Sequence, residues 1–354
     1  MGTFCLTRTT LLAASVLAFQ FRVSAQGSLT PPGAPAATMK SLDQVEARTA
    51  ITNASSLVTI SQPGSYYLTQ NLTVPTGDGI DINANQVTLN LNGFTISSTA
   101  ASATGSAIYL NKATGNIDVT ILNGHITSGT TNNNGVFSGP GFLNGIYFNV
   151  GGFNLRAEGV SVYGCLGNGV YFGQNNSSVV NSCTVTLAGS IGIYADTVTR
   201  STATTCGFRG ILANAVSDCR ADEVKASGYG ISSGTANNCT GNSTGVGAFG
   251  ISTTAANNCT ANNYGASGTA LHATSANNCT AGNLGDGGTA LSASVANNCF
   301  ANDASSATGG TGLNATIAVN CYATSFAGTG LKANIATACF VSGITNITHK
   351  YNMP

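Results

Sequence analysis

Past residue 56 the chain is a succession of short runs in which branched aliphatic residues alternate with polar ones. Leu57 to Ile60, Tyr66 to Val74, Val87 to Ile96 and Ile117 to Ile126 carry this two-residue period and read as β-strands. Farther along, the alternation falls under a longer period. Cys219, Cys239, Cys259, Cys279 and Cys299 recur every 20 residues, and Cys321 and Cys339 follow at 22 and 18. A second marker is the pair Gly230-Ile231, repeated as Gly250-Ile251, Ala270-Leu271, Ala290-Leu291, Gly312-Leu313 and Gly330-Leu331, always nine residues before the next cysteine. From each cysteine to the following pair the interval varies. Fixed spacing on one side and variable spacing on the other is the signature of stacked coils with one tolerant turn, because paired strands cannot absorb an insertion without losing register.

Weaker copies of the marker at Gly210-Ile211, Gly192-Ile193, Gly169-Val170 and Gly145-Ile146 carry the pattern upstream. Each unit is too short to bury a core alone, so the stack is the core. The spacing predicts roughly a dozen coils. A left-handed hexapeptide helix would need a period of about 18 residues, and calcium-binding nonapeptide repeats would need a GGxGxD series that the single Gly285-Asp286-Gly287-Gly288 does not supply.

The runs PGSYYLTQNLTV, GIDINANQVTLNLNGFTI and VTILNGHI resemble the opening coils of right-handed parallel β-helix proteins, the pectin-lyase-like solenoids of secreted bacterial proteins. APAATMKSLDQVEARTAI and the closing HKYNMP resemble the ends of uncharacterised members of that group. The resemblance spans about residues 29 to 354 and implies an all-β fold, a right-handed parallel β-helix. It says almost nothing of activity.

The flanks divide the chain further. Arg8, the apolar run from Leu11 to Phe19 and Val23-Ser24-Ala25 form a secretory signal over residues 1–25. Its removal takes Arg8, Arg22 and Cys5 with it and leaves a slightly acidic exported chain. Residues 26–56 read as a proline-rich linker and capping segment with a short helix at Ser41 to Arg48. The solenoid takes 57–343, and 344–354 is a tail. No run is long enough for a membrane span.

Composition narrows the function more than it names it. The 354 residues include 12 Lys+Arg and 12 Asp+Glu, only 7% charged, with 45 Gly. No basic cluster supports nucleic-acid binding. The cysteines point inward by alternation, either as a column of buried thiols or with some disulfides among them. No CxxC pair exists and the histidines are scattered at 125, 272 and 349, so no metal site or cofactor is expected.

Outward columns flank the cysteines. The one after reads Arg220, Thr240, Thr260, Thr280, Phe300, Tyr322 and Phe340; the one before reads Asp218, Asn238, Asn258, Asn278, Asn298, Asn320 and Ala338. Aromatic faces beside amides and hydroxyls suit sugar rings, making Phe300, Tyr322, Phe340, Asn278 and Thr280 candidate ligand-binding residues. Cover by the C-terminal tail or by a second subunit is the competing explanation of the aromatic end. Three consecutive threonines are too few for an ice-matching face.

The one concentration of charge is Arg209, Asp218, Arg220, Asp222, Glu223 and Lys225. Alternation puts Asp218, Arg220 and Asp222 on one face, and equal distances from Cys206 and Cys219 stack Arg209 against Asp222. A surface ion pair is the plain reading; a lyase centre with Arg220 as base and Asp218 and Asp222 on calcium is the catalytic one. Against the resembling hydrolases, His125 in NGHITSG lacks the second glycine and their paired aspartates, and reads as a turn residue. Asp78, Asp81 and Asp118 form no recognisable pair. The expectation is therefore an exported, non-catalytic surface or matrix solenoid, adhesive or glycan-binding, with polysaccharide or an envelope component as partner. A polysaccharide lyase or glycoside hydrolase is the alternative.

Overall fold

The computed structural model describes residues 46–52, 55–148, 151–223, 225, 227–306 and 309–353. The chain divides into residues 1–47 and Arg48–Pro354. The signal segment and most of the predicted helix lie outside the described residues, and Glu46 to Arg48 are not helical.

Arg48–Pro354 is all-β, a parallel β-helix of about 14 turns, slightly more than the repeat predicts. Apart from one antiparallel hairpin, Thr131–Asn133 with Val136–Ser138, every strand pairs in parallel with the strand one coil away. At about 4.8 Å per coil the stack is roughly 65 Å long.

One repeat explains the motif ANNCT completely. In the nine-residue strand Phe249–Asn257, Ala256 points inward and Asn257 points out, donating its amide to Asn237 Oδ1 at 2.9 Å. Asn277 continues that ladder to Asn257 at 3.2 Å. Next comes a corner at Asn258, in the left-handed region at φ 54°. Cys259 then turns inward and Thr260 opens the short strand Thr260–Asn263.

The same left-handed corner recurs at Asp218, Asn238, Asn278, Asn298, Asn320 and Ala338. Among residues with a Cβ, Asn and Asp tolerate this conformation best. The column before each cysteine is thus a run of corners, not strand positions as alternation suggests. Asn278 is repeated for its backbone.

The turn after the short strand absorbs length changes, as the variable spacing predicts. Gly245, Gly265 and Gly285 stack there so closely that a Cβ on Gly265 would enter the carbonyl oxygen of Gly245. Inside the same corner runs a buried polar ladder. Ser243 Oγ donates to Asn263 Oδ1 (3.0 Å), Asn263 Nδ2 to Asn283 Oδ1 (2.7 Å), Asn283 Nδ2 to Asp303 Oδ1 (2.8 Å), and Ser325 Oγ to Asp303 Oδ2 (2.7 Å). Side-chain pairing keeps these amides from being a burial penalty.

The ten cysteines from Cys165 to Cys339 are buried and free. Burial pushes four of these thiols up, to about 12 at Cys165, Cys206 and Cys219 and about 11 at Cys183. The expected tail is mostly strand: Phe340–Tyr351 pairs with Tyr322–Thr337 and forms the last coil. Alternation there is too weak in sequence to show it, because only Val341, Ile347 and Met353 pack partly against the core.

Candidate functional site

The fold disperses the charged cluster of residues 209–225. Arg220 and Asp222 do share a face and pair at 3.1 Å, with Asn242 Nδ2 donating to the other Asp222 oxygen at 2.6 Å. Asp218 instead occupies the left-handed corner and accepts from Asn238 Nδ2 at 3.2 Å. Arg209 does not meet Asp222. A register shift between Ala203 and Cys206 breaks the equal spacing on which that stacking depended. Arg209 opens the strand Arg209–Ser217, with its guanidinium 4.9 Å from the Phe208 ring centre and 5.1 Å from that of Tyr229. Lys225 Nζ donates to Gly189 O at 3.4 Å and lies 5.1 Å from the Phe137 ring of the hairpin.

Glu223 goes inside. It is 0% exposed, and its oxygens accept no well-formed hydrogen bond. Burial pushes its carboxyl up to about 8, only partly offset by the backbone amides of Lys225 and Gly245. That value suits a general acid, but a group sealed in the solenoid cannot touch a polymer. Among the described residues no three His, Cys, Asp or Glu side chains converge to hold a metal. His125 is in the strand Ile117–Thr127, exposed, and not in a turn. Asp78 and Asp81 do interact: burial pushes Asp81 up, the Asn111 amide at 3.4 Å opposes this, and the Asp78 charge adds to it.

The column after each cysteine is in register as expected from Arg220 through Thr240, Thr260 and Thr280 to Phe300, Tyr322 and Phe340, and Thr184 and Thr202 extend it upstream. The three rings are 42%, 40% and 49% exposed, so no described segment covers them. Their centroids are 5.2 and 4.8 Å apart and the planes differ by 12° and 11°. Tyr322 therefore has a ring on both faces and offers its edge to solvent, while Phe300 and Phe340 each cover one face. Asn302 and Thr324, joined at 2.7 Å, form the adjacent column.

A second aromatic column is absent from the sequence reading. Tyr109, Tyr147, Tyr171 and Tyr194 are register partners on successive coils, with centroids 6.0, 5.2 and 5.0 Å apart. The signal was present: GIYF, GVYF and GIYA place a tyrosine directly after three upstream marker pairs, and AIYL repeats the pattern at Ala107-Ile108. Uneven coil lengths hid the recurrence. The first two pairs differ by 34° and 33°, and Tyr171 and Tyr194 meet edge-on at 79°.

Beside this column a depression of about 330 Å³ is lined by Phe148, Tyr171, Tyr194, Gln174 and Asn175. Its wall, residues 173–178, is rigidly held. Asp196 accepts from the backbone N–H of Asn175 (2.7 Å), Asn176 (2.9 Å) and Ser178 (3.1 Å), while Ser178 Oγ donates to Gly173 O at 3.1 Å. Burial works against the Asp196 charge, but the amides of Asn176, Asn175 and Ser178 hold its carboxyl below the usual range. Burial, with Tyr194 and Tyr147 beside it, pushes the Tyr171 phenol up.

The protein is thus a parallel β-helix with several aromatic columns, Tyr229 and Phe249 forming a further stacked pair at 5.1 Å, and no assembled acid–base centre among the described residues. No protein-family model matches it, and no curated protein does. Among solved structures it is similar to the Dettilon tailspike protein (12% identity over 85% of this chain and 61% of that one, TM-score 0.38). The A-module of the Azotobacter vinelandii mannuronan C-5 epimerase AlgE4 aligns at 12% identity over 84% of this chain and 89% of the module, TM-score 0.34. The enzymatically active domain of bacteriophage CBA120 tailspike protein 2 aligns at 14% over 82% and 43%, TM-score 0.31.

Proposed function

We propose that the protein is an exported, non-catalytic β-helix that adheres to polysaccharide or to another cell-envelope component. The observation that carries the reading is the separation of the charged residues: Arg209 lies between rings, Glu223 is inside, Asp218 is at a corner and Arg220 is tied to Asp222. A lyase needs a base and metal-binding carboxylates around one bond, and a hydrolase usually needs two carboxyls facing it. A long stack with outward columns repeated coil after coil supports adhesion instead, because each coil adds contact along one line. The strip Phe300, Tyr322 and Phe340, with Thr280, Asn302 and Thr324 beside it, is the exposed adhesive surface at the C-terminal end.

Retention of the purified protein on insoluble polysaccharides and on isolated cell envelopes tests this. Retention is expected, weakened severalfold by Tyr322→Ala with Phe340→Ala. No retention on any material, or retention indifferent to both substitutions, would remove the C-terminal strip from the reading.

A further inference from the structure

We infer that the tyrosine column forms a second and separate binding site, one that takes an uncharged polysaccharide chain lying along the stack with sugars over Tyr147, Tyr171 and Tyr194. The inference rests on the glycan-binding reading above but not on the C-terminal strip.

Ring geometry separates the two columns. In a face-to-face stack each π face is covered by the next ring. In an edge-to-face pair, the ring that presents its edge keeps both faces clear of that neighbour. The 79° angle between Tyr171 and Tyr194 therefore leaves ring face available inside the column, where the 12° and 11° angles of the C-terminal stack close both faces of its middle ring, Tyr322. A sugar ring has an apolar C–H surface that fits such a face and a rim of hydroxyls that needs donors and acceptors. The 330 Å³ depression supplies both, with Tyr171 and Tyr194 as floor and the amides of Gln174 and Asn175 at the wall.

Charge selects among glycans. Among the described residues, no Lys or Arg lines the depression. The nearby carboxylate, Asp196, is saturated: it accepts from three backbone amides and from Asn214 Nδ2 at 2.7 Å. A uronate would find no cation there, whereas a neutral hexose would lose no charge solvation. The wall is fixed before any ligand arrives, with Gln174 Nε2 donating to Asn214 Oδ1 at 2.9 Å and Asn176 Nδ2 to Phe172 O at 2.5 Å. Preorganisation of this kind lowers the ordering cost of binding.

The chain contains no tryptophan, so its fluorescence reports tyrosine directly. Titration of the whole mature protein with cellohexaose, mannohexaose and tetragalacturonate, followed by tyrosine emission and by calorimetry, is the test. Saturable binding of at least one neutral oligosaccharide is expected, with the galacturonate weaker. Tyr171→Ala with Tyr194→Ala should weaken it about tenfold or more. Tyr194→Phe should keep most of it, Gln174→Ala should weaken it without touching a ring, and Tyr264→Ala, at an exposed tyrosine of the late turns outside both columns, should leave it unchanged. Neutral binding indifferent to the Tyr171 and Tyr194 changes and to Gln174→Ala overturns this site and leaves glycan binding standing. Preference for the galacturonate overturns the charge argument. Absence of binding to all three overturns this site, while envelope retention through the C-terminal strip is judged separately.

Discussion

The coils before and after about residue 200 build the same stack from opposite materials. The earlier ones bury Leu68, Leu89, Ile108, Ile121, Phe142 and Phe172; the later ones bury Ala256, Cys259, Ala261, Ala276 and Cys279 with a single Ile or Leu per coil. Coil length follows. In the early half the step varies: 28 residues separate Asp78 from its hydrogen-bond partner Ser106, 38 separate Ser106 from Asn144, and only 18 separate the paired Thr184 and Thr202. In the late half the step settles at 20. Large side chains hold a wide coil open and let its turns vary. Small ones allow a narrow coil whose backbones nearly touch, so register is set by close approach, buried amide ladders and left-handed corners. The early half accordingly has room for a wall beside its tyrosines, and the late half is uniform.

The largest effect expected from this contrast is on core truncation. Leu89→Ala removes a wholly buried side chain from a wide coil and should cost about 2–5 kcal/mol. Cys259→Ala removes one sulfur from a column of small residues and should cost roughly 1 kcal/mol or less. Denaturant unfolding of both variants would show the pair, and equal losses would dissolve the distinction.

Glu223 sharpens the boundary between the halves. Its folded-state pKa, pushed up to about 8, lies above the ordinary value of 4.5. The folded chain therefore holds a proton that the unfolded chain releases, and stability falls as pH rises from about 4.5 to about 8. The slope is at most about 1.4 kcal/mol per pH unit, and it flattens above the folded pKa. Glu223→Gln should flatten the profile. A variant with the wild-type slope would show that this carboxyl is not the cause.

Close approach in the late turns gives the next effect. Gly265→Ala places a methyl against the Gly245 carbonyl and should destabilise by about 1–3 kcal/mol. Gly93→Ala meets no neighbour in the early half and tests left-handed strain alone, at φ 78°. The smallest effect is expected at Arg220→Ala. The Arg220–Asp222 pair is on the surface, with the Arg220 side chain 58% exposed, and its loss should change stability by less than about 1 kcal/mol in thermal unfolding.

The late half was the more legible in sequence, since its 20-residue period exposes the stacked coils, the inward cysteines and the threonine and aromatic column directly. What misled was alternation carried through a corner. It counts Asp218 and Asn278 as strand positions, whereas a left-handed residue resets the phase before each cysteine. The same arithmetic set Arg209 against Asp222, because equal distance from two cysteines ignores the shift between Ala203 and Cys206. In the early half the tyrosines recur at unequal intervals, and only pairing across coils reveals that Tyr109, Tyr147, Tyr171 and Tyr194 form one line. Glu223 gave no warning either, since a carboxylate beside Arg220 and Asp222 in sequence looks like part of a solvated face.

The absence of catalysis is the claim most open to direct attack. The purified protein is incubated with pectate, alginate, xylan and mannan, with and without calcium, and followed by ultraviolet absorbance of unsaturated products and by release of reducing ends. The expected result is no product on any polymer, with Arg220→Ala behaving as wild type in retention. Steady product formation abolished by Arg220→Ala would contradict the passive rod and place chemistry at Arg220, Asp218 and Asp222.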